Sequence, residues 1–386
     1  MANRDLIEVV PMFGEAELAR RLANIREHMS DAAVDALVVT DPDNIFYVTG
    51  ASRLGGLSQM ALIVPLKGEV AFAGRAVDVV AYTQNTGSEK VFPYRDHLPP
   101  ETAIAEAIVK CAGSAASVGY ESAAISVALF QRLREVLPNV NWRDTKRLIW
   151  DLCAIKSPAE LACMRKAAQI NAHALSRALA VTAPGVSDSK IAAELFAGML
   201  ELGGGPISGF NLASGPRTAI VHATFNDRKL ERDDIVHFEF SASWNRYSAP
   251  LMRTAVLGKP HPEAVRLNDA ALAAVEAVLA ITREGVTSGE VDAAANRELE
   301  RRGVREWHYH RTGYTVGTWA SGSWALGHIA ALREDDPLVL KENMTFHLPM
   351  VLFHPGVAGA GLSETIRVTR TGVEVLTSYR RELIRL

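Results

Sequence analysis

Cysteine is scarce in this sequence, and long uncharged stretches are absent. Cys111, Cys153 and Cys163 include no C-x-x-C pair and leave one thiol over in any disulfide pairing. This content is typical of a reducing compartment and argues against a thiolate metal site. Arg4 and Asp5 interrupt the first residues, where a signal peptide needs an apolar core, and no apolar run is long enough to cross a bilayer. We therefore expect a cytoplasmic protein without a membrane partner.

An excess of basic charge is also absent. The chain has 41 Lys and Arg against 44 Asp and Glu, which gives a formal net charge of -3. Binding to nucleic acid requires clustered positive charge, so nucleic acid is not an expected partner. The length of 386 residues favours two domains, and the hydrophobic fraction of 48% allows a large core.

The order of the apolar patterns predicts where the two domains meet. Before residue 153, helical spacing alternates with short apolar runs, and the runs at 61–65 and 69–73 flank a turn and predict a hairpin. At Ser157 a capping box begins a long helix, and we place the boundary there. The prediction is an α/β domain over 1–153 and an α+β domain over 154–386. In the second domain, helices are predicted at 187–202, 262–282 and 288–302, and strands at 235–240, 251–257, 345–353 and 363–369.

One predicted strand carries an imidazole and a carboxylate side by side. His237, Glu239 and Ser241 alternate with apolar residues over 236–241. Side chains two positions apart share one face of a strand, so these three polar groups should project together. A solvated surface strand is the structural alternative.

Three further segments of the second domain carry candidate site residues. His222 lies in a loop rich in turn formers, and His308 and His310 are two positions apart, as on one face of a strand. The third segment pairs His347 with Glu364. A buried carboxylate needs a cation, a hydrogen-bond donor or a metal, and Arg253 is the candidate partner of Glu364. That pairing could be purely structural.

Several of these segments together resemble the creatinase/aminopeptidase P/methionine aminopeptidase superfamily. The resemblance spans almost the whole chain in order. It implies a pita-bread catalytic domain of α+β class behind a smaller α/β creatinase-type domain, usually in a homodimer. The segments that carry it are 43–50, 156–160, 234–242, 246–254, 311–317 and 364–369.

The resemblance also shows where this chain departs from the metal-dependent members. Dipeptidases of the superfamily bind two divalent metals through two Asp, one His and two Glu. Proline, tyrosine and apolar side chains cannot supply these ligands, so we expect no metal and no other cofactor. By motif alignment the five positions fall at Glu239, Pro250, Tyr314, Leu348 or Pro349, and Glu364.

The remaining pattern is most similar to the metal-free ectoine hydrolase and creatinase branch. His222 matches the acid/base histidine of creatinase, and ectoine hydrolases open a cyclic amidine to an N-acetyl-diaminobutyrate. The resemblance implies a metal-independent hydrolase of a C–N bond in a small amidine, guanidino or N-acyl amino-acid-like compound. Glu239 would act as nucleophile or base and His222 as acid/base. Tyr314 with His310 would stabilise charge, and Glu364 would hold a cationic nitrogen or orient Arg253.

Substrate contacts are expected from several other side chains. In creatinase-like dimers a loop of the N-terminal domain reaches the partner's active site, and Arg53 stands at that place. Met252 replaces a creatinase carboxylate, which disfavours creatine, and apolar residues after Trp324 depart from the ectoine pattern. The expected substrate-binding residues are Arg53, His237, Arg253, His310, His347, Trp319 and Trp324.

Three other functions remain open at this level. A metal-dependent Xaa-Pro dipeptidase is the first, and a lyase of the dimethylsulfoniopropionate type is the second. The third is a non-catalytic binding relative that uses the same polar pocket.

Overall fold

The computed structural model describes residues 12–51, 54, 58–206, 210–318 and 323–386. The chain divides into two compact units, Met1–Cys153 and Ala154–Leu386, called here the N-terminal and C-terminal units. Arg53 and Trp319, both expected to bind substrate, lie outside the described residues. In the described part of the chain, no helix combines the length and the apolar character needed to span a membrane.

A six-stranded mixed sheet forms the centre of the N-terminal unit. Its order is β4-β3-β2-β1-β5-β6, and β1 is antiparallel to β2 but parallel to β5. The hairpin between the second and third strands is confirmed. The strands are β1 (Ala36–Val39), β2 (Ala61–Pro65), β3 (Ala71–Arg75), β4 (Val91–Tyr94), β5 (Ser117–Tyr120) and β6 (Asn141–Asp144). The helices are α1 (Glu15–Asp31), α2 (Pro42–Thr49), α3 (Ala76–Thr86), α4 (Pro100–Ala112), α5 (Val127–Val136) and α6 (Leu148–Ala154).

The C-terminal unit begins with the long helix that the sequence predicted. The capping box is confirmed, because the Ser157 side chain accepts from the Glu160 amide and the Glu160 carboxylate accepts from the Ser157 amide. These two bonds satisfy amide groups that the first helical turn leaves unpaired. The helices are α7 (Pro158–Val181), α8 (Asp188–Glu201), α9 (Pro262–Ile281) and α10 (Ser288–Arg301), with 3-10 turns at Gly215–Ala219 and Arg305–Trp307.

Two sheets of this unit carry the candidate site. One has the order β18-β12-β9-β8 and the other β14-β13-β15-β16-β17, while β11-β10-β7 forms a small third sheet. Mixed helices and largely antiparallel strands agree with the predicted α+β class. The strands are β7 (Gly205–Pro206), β8 (Asn211–Ser214), β9 (Ile235–Phe240), β10 (Ala242–Trp244), β11 (Tyr247–Ser248), β12 (Leu251–Val256), β13 (Gly313–Thr315), β14 (Ala331–Leu332), β15 (Thr345–His354), β16 (Ala358–Val368), β17 (Val373–Val375) and β18 (Ile384–Arg385).

The strand predicted around His308 and His310 is wrong. A 3-10 turn at Arg305–Trp307 precedes the two histidines, and β13 begins only at Gly313. Side chains bond to the backbone of this segment: the Arg305 guanidinium donates to the His308 carbonyl, and the Asp292 carboxylate of α10 accepts from the Thr312 amide. The same carboxylate accepts from the Thr312 hydroxyl. Such bonds offer the backbone an alternative to a strand ladder.

A close backbone contact fixes the segment that leads to His222. A Cβ built on Gly359 in β16 would lie 1.9 Å from the Thr218 carbonyl oxygen, in the 3-10 turn Gly215–Ala219. Only glycine permits this approach of the two backbones. The position of the turn, and of the loop after it, therefore depends on Gly359.

We predict that Gly359→Ala destabilises the C-terminal unit by about 2 kcal/mol or more, because the new methyl group must displace backbone. Scanning calorimetry measures the change in the unfolding midpoint. Gly372→Ala is the matched control, because a Cβ there meets nothing within 4 Å. Equal midpoints for the two variants would contradict the close contact.

Candidate active site

A cavity of about 290 Å³ opens in the C-terminal unit between residues of the two sheets. Its volume is at the small end of ligand pockets. Met252, Val351 and Phe353 form an apolar cluster along one part of its wall. The lining residues are Val221, His222, Glu239, Met252, Tyr309, His310, Arg311, Tyr314, Pro349, Val351 and Phe353.

Glu239 supplies the carboxylate of this lining. Strand pairing places Asn211, Glu239 and Met252 in one row across β8, β9 and β12. The Asn211 amide donates to Glu239 Oε2 at 2.6 Å. Burial raises the pKa of the Glu239 carboxyl to about 7, and the bond from Asn211 opposes the rise. The carboxyl therefore titrates near neutral pH rather than near pH 4.5.

His222 lies at the exposed rim of the cavity in a strained backbone conformation. Its φ is 59°, in the left-handed region that residues other than glycine seldom adopt. Such conformations persist where surrounding structure holds them, and they are concentrated at functional sites. The predicted loop position of His222 is confirmed, and the loop brings its ring to the same cavity as Glu239.

Tyr314 on β13 brings a phenol into the lining, and Trp324 supports it from behind. The Trp324 indole Nε1 donates to the Tyr314 hydroxyl oxygen at 3.1 Å. Burial raises the pKa of Tyr314 well above its ordinary value, and the charge of Glu239 raises it further. Tyr314 therefore stays protonated and can donate. Trp324 does not line the cavity, so it is not the pocket wall that the sequence suggested.

Of the three histidines expected to bind substrate, His310 lines the cavity, whereas His237 and His347 do not. His310 lines the cavity, and burial lowers its pKa, so that its ring is neutral at pH 7. The His308 ring lies 4.5 Å from the His310 ring, centroid to centroid. His347 pairs with Tyr314 across β13 and β15, and its ring centroid lies 5.4 Å from the Tyr314 ring. His237 is hydrogen-bonded through Nδ1 to Thr254.

Burial also lowers the pKa values of the histidines that do not line the cavity. The pKa of His237 falls to about 4, and those of His308 and His347 fall to about 3.

Glu364 requires a correction, because the structure does not bring it to the cavity. Residues opposite each other on antiparallel strands share a face. Pro349, which lines the cavity, pairs with Ser363, whereas Glu364 pairs with Leu348. The Glu364 carboxylate therefore points to the opposite face of β16.

A buried ion-pair cluster holds Glu364 on that face. Arg253 Nη2 lies 2.7 Å from Glu364 Oε1, and both side chains are 1% exposed. Arg381 and Thr377 also donate to this carboxylate. The expected pairing of Arg253 with Glu364 is confirmed. Neither side chain lines the cavity, where the sequence suggested a substrate-binding and a catalytic residue. Ser363 faces the cavity side instead, where its hydroxyl accepts from the Met252 amide at 2.7 Å.

The residues at the superfamily's metal positions do not fit a pair of divalent cations. Motif alignment puts these positions at Glu239, Pro250, Tyr314, Leu348 or Pro349, and Glu364. The strand register turns Leu348 and Glu364 away from the cavity and leaves Pro349 and Ser363 on its face. Two divalent ions need several carboxylate oxygens or imidazole nitrogens around them. Over the described ranges, no group of three or more His, Cys, Asp or Glu side chains converges in a way that could hold a metal ion.

Asn211 and Arg311 were not among the site residues predicted from the sequence. Asn211 could have been found only from the pairing of β8 with β9, which the sequence does not reveal. Arg311 stands beside His310 in the superfamily-like segment 311–317, and its charge next to two candidate residues was an available signal.

The two buried acids allow a matched test of these assignments. We predict that Glu364→Gln lowers the stability of the C-terminal unit by about 3 kcal/mol, because the Arg253 charge loses its partner. The same variant should keep kcat within about threefold of the wild type, since one group removed from an active site commonly costs about a hundredfold. Calorimetry and steady-state kinetics measure the two effects. A large loss of kcat without a loss of stability would restore Glu364 to the reacting centre.

Both units match known protein families. Residues 162–370 match metallopeptidase family M24, and residues 21–155 match the creatinase/prolidase N-terminal domain. A prolidase from Thermococcus sibiricus superposes with a TM-score of 0.86 at 23% identity, over 97% of this chain and 100% of that one.

Three similar proteins carry different names. An uncharacterized hydrolase/peptidase, y4tM, from Sinorhizobium fredii is 31% identical over 96% of this chain and 98% of its own. The ectoine hydrolase of Halomonas elongata is 28% identical over 98% and 99%. A Xaa-Pro dipeptidase of Pyrococcus furiosus is 24% identical over 95% and 100%.

Proposed function

This chain belongs to metallopeptidase family M24, a family of hydrolases, and has a pita-bread catalytic domain behind a creatinase-type N-terminal domain. Within that family, we propose that it is a metal-independent hydrolase of a C–N bond in a small amidine, guanidino or N-acyl amino-acid-like compound. The observation that carries the proposal is Glu239, a cavity carboxyl with a pKa raised to about 7 and an amide as its hydrogen-bond partner.

In the proposed mechanism, Glu239 is the group that activates water or attacks the substrate carbon. A general base works best when its pKa is near the working pH, and a carboxyl with a pKa of about 7 meets that condition. In the base route, Glu239 removes a proton from water as the water oxygen attacks the carbon. In the nucleophile route, a Glu239 oxygen attacks the carbon and water later hydrolyses the new C–O bond. In both routes the C–N bond breaks as His222 gives a proton to the leaving nitrogen.

Tyr314 supports the charge that develops in either route. The Trp324 indole donates to one lone pair of the Tyr314 oxygen, so the phenol proton must point away from Trp324. This hydrogen bond also polarises the phenol O–H. The phenol can then donate to the atom that gains negative charge during attack. His310, neutral beside the cavity, adds a second polar group to the same region.

The similarity to an ectoine hydrolase favours a substrate other than a peptide. A second candidate is a metal-dependent Xaa-Pro dipeptidase, because dipeptidases of that name are also relatives. The residues at the metal positions disfavour it, since Pro250 and Pro349 offer no carboxylate or imidazole. A screen of metal-stripped protein against ectoine, guanidino acids, N-acyl diamino acids and Xaa-Pro dipeptides tests the proposal. Turnover of Xaa-Pro dipeptides alone, and only after metal is restored, would favour the dipeptidase.

We predict that Glu239→Gln lowers kcat by about a hundredfold or more, because the amide can neither accept the proton nor attack. In the wild type, kcat/KM should rise with pH up to about 7 and then level off, since the ionised carboxylate is the active form. A pH series of initial rates measures both effects.

Stability provides the control for that variant. The pKa of folded Glu239 lies above its ordinary value, so the carboxyl's contribution to stability falls as pH rises from about 4.5 to about 7. Glu239→Gln should therefore be at least as stable as the wild type above pH 7. Turnover within about threefold of the wild type would contradict a central role for Glu239.

We predict that Trp324→Phe lowers kcat by about tenfold with KM nearly unchanged, because the phenol of Tyr314 loses the bond that directs it. Tyr314→Phe should cost more, and the double variant should cost no more than Tyr314→Phe alone. A double-mutant cycle on kcat measures this coupling. Additive losses would show that Trp324 acts only through packing.

A further inference from the structure

Arg311 is a charged residue of the cavity lining that has no part in the proposed mechanism. It follows His310 directly and precedes β13, and its guanidinium lies at the exposed side of the cavity. Over the described ranges, the hydrogen bond of its side chain goes to the Gly327 carbonyl, and no carboxylate pairs with it. An arginine at a cavity mouth without an acidic partner keeps most of its five N–H donors for a ligand.

Two neighbours hold the Arg311 guanidinium: the Gly327 carbonyl and the Tyr314 ring, called here the Arg311 cradle. Nη1 donates to the Gly327 carbonyl at 3.3 Å, and the guanidinium carbon lies 5.9 Å from the centroid of the Tyr314 ring. That distance is within the range of a cation–π contact. A Cβ on Gly327 would lie 2.5 Å from Arg311 Nη1, so the absence of a side chain there makes room for the cation.

The charges of the lining favour an anion at this place. His310 is neutral at pH 7, and Glu239 is only partly ionised. Arg311 therefore carries the permanent positive charge among the described lining residues. A planar guanidinium matches a carboxylate through two parallel hydrogen bonds.

We propose that Arg311, held by Gly327 and Tyr314, selects the substrate by binding a carboxylate at the cavity mouth. The apolar part of the substrate then contacts the Met252 cluster, and the C–N bond reaches Glu239. The orientation of the reacting end rests on the proposed function, whereas the anion site rests on Arg311 and its surroundings. The substrate class is thereby narrowed to small compounds that carry a carboxylate in addition to the reacting C–N bond.

Calorimetric titration with N-acetylglycine and N-acetylglycinamide tests the anion site, because the two probes differ mainly in charge. The wild type should bind the carboxylate about tenfold or more tightly than the amide. Arg311→Met should abolish this preference, and Arg311→Lys should keep only part of it, because an ammonium lacks the planar pair of donors. Arg370→Met is the control, since that arginine is exposed on the strand connection at 369–372 and lies outside the cavity lining.

Gly327→Ala tests the cradle without touching Arg311. The atom that the new methyl group meets is the far end of a flexible side chain, so the unfolding midpoint should stay near that of the wild type. The preference for N-acetylglycine should nevertheless fall about threefold or more, because the guanidinium must move.

The outcomes separate this inference from the proposed function. A wild type without preference for N-acetylglycine, or an Arg311→Met variant that retains the preference, overturns the role of Arg311. Glu239→Gln should keep the preference, because charge recognition requires no turnover. If the preference is present but none of the screened compounds is hydrolysed, the proposed function fails and the anion site stands.

Discussion

Burial of the Glu239 carboxyl against apolar neighbours, with an amide rather than a cation as its partner, is the interaction on which the site depends. Water stabilises an ionised carboxylate far better than this surrounding does, so the group holds its proton up to about pH 7. The strand row that joins Asn211, Glu239 and Met252 fixes this environment. The sheet thus holds at the cavity a carboxyl whose pKa lies near neutral pH.

The C-terminal unit also buries a second acid, Glu364, in different surroundings. Glu364 is less exposed than Glu239, but Arg253, Arg381 and Thr377 satisfy its carboxylate. Arg253 also donates to the carbonyls of residues 379 and 380, so the cluster attaches the C-terminal segment to the sheet. The two carboxyls therefore have opposite surroundings: ion pairs and hydrogen bonds satisfy Glu364, whereas Glu239 has an amide as its partner and lines the cavity.

Much of this arrangement could be predicted from the sequence, because local signals determine it. The capping box at Ser157, the hairpin of β2 and β3, and the alternation that turns Glu239 to the same face as His237 depend on neighbouring residues alone. The resemblance to the superfamily added the order of the site segments. Local periodicity was sufficient wherever a long element buries one face.

The remainder depended on contacts between distant segments. The pairing of β15 with β16 decides that Ser363, and not Glu364, shares the cavity face with Pro349, and a shift of one residue reverses that choice. The turn at His308 follows from bonds to Asp292 on another element, and the Arg311 cradle requires Gly327 from a separate loop. Periodicity along one segment does not contain this information.

The metal content of the active enzyme is the sharpest test of whether Glu239 and His222 work without divalent ions. Elemental analysis of the purified protein gives its metal content, and turnover after exhaustive chelation shows whether Glu239 and His222 are sufficient for catalysis. We expect far less than one equivalent of divalent metal per chain and unchanged turnover after chelation. Two tightly bound ions per chain, with activity lost on their removal and restored on their return, would contradict it.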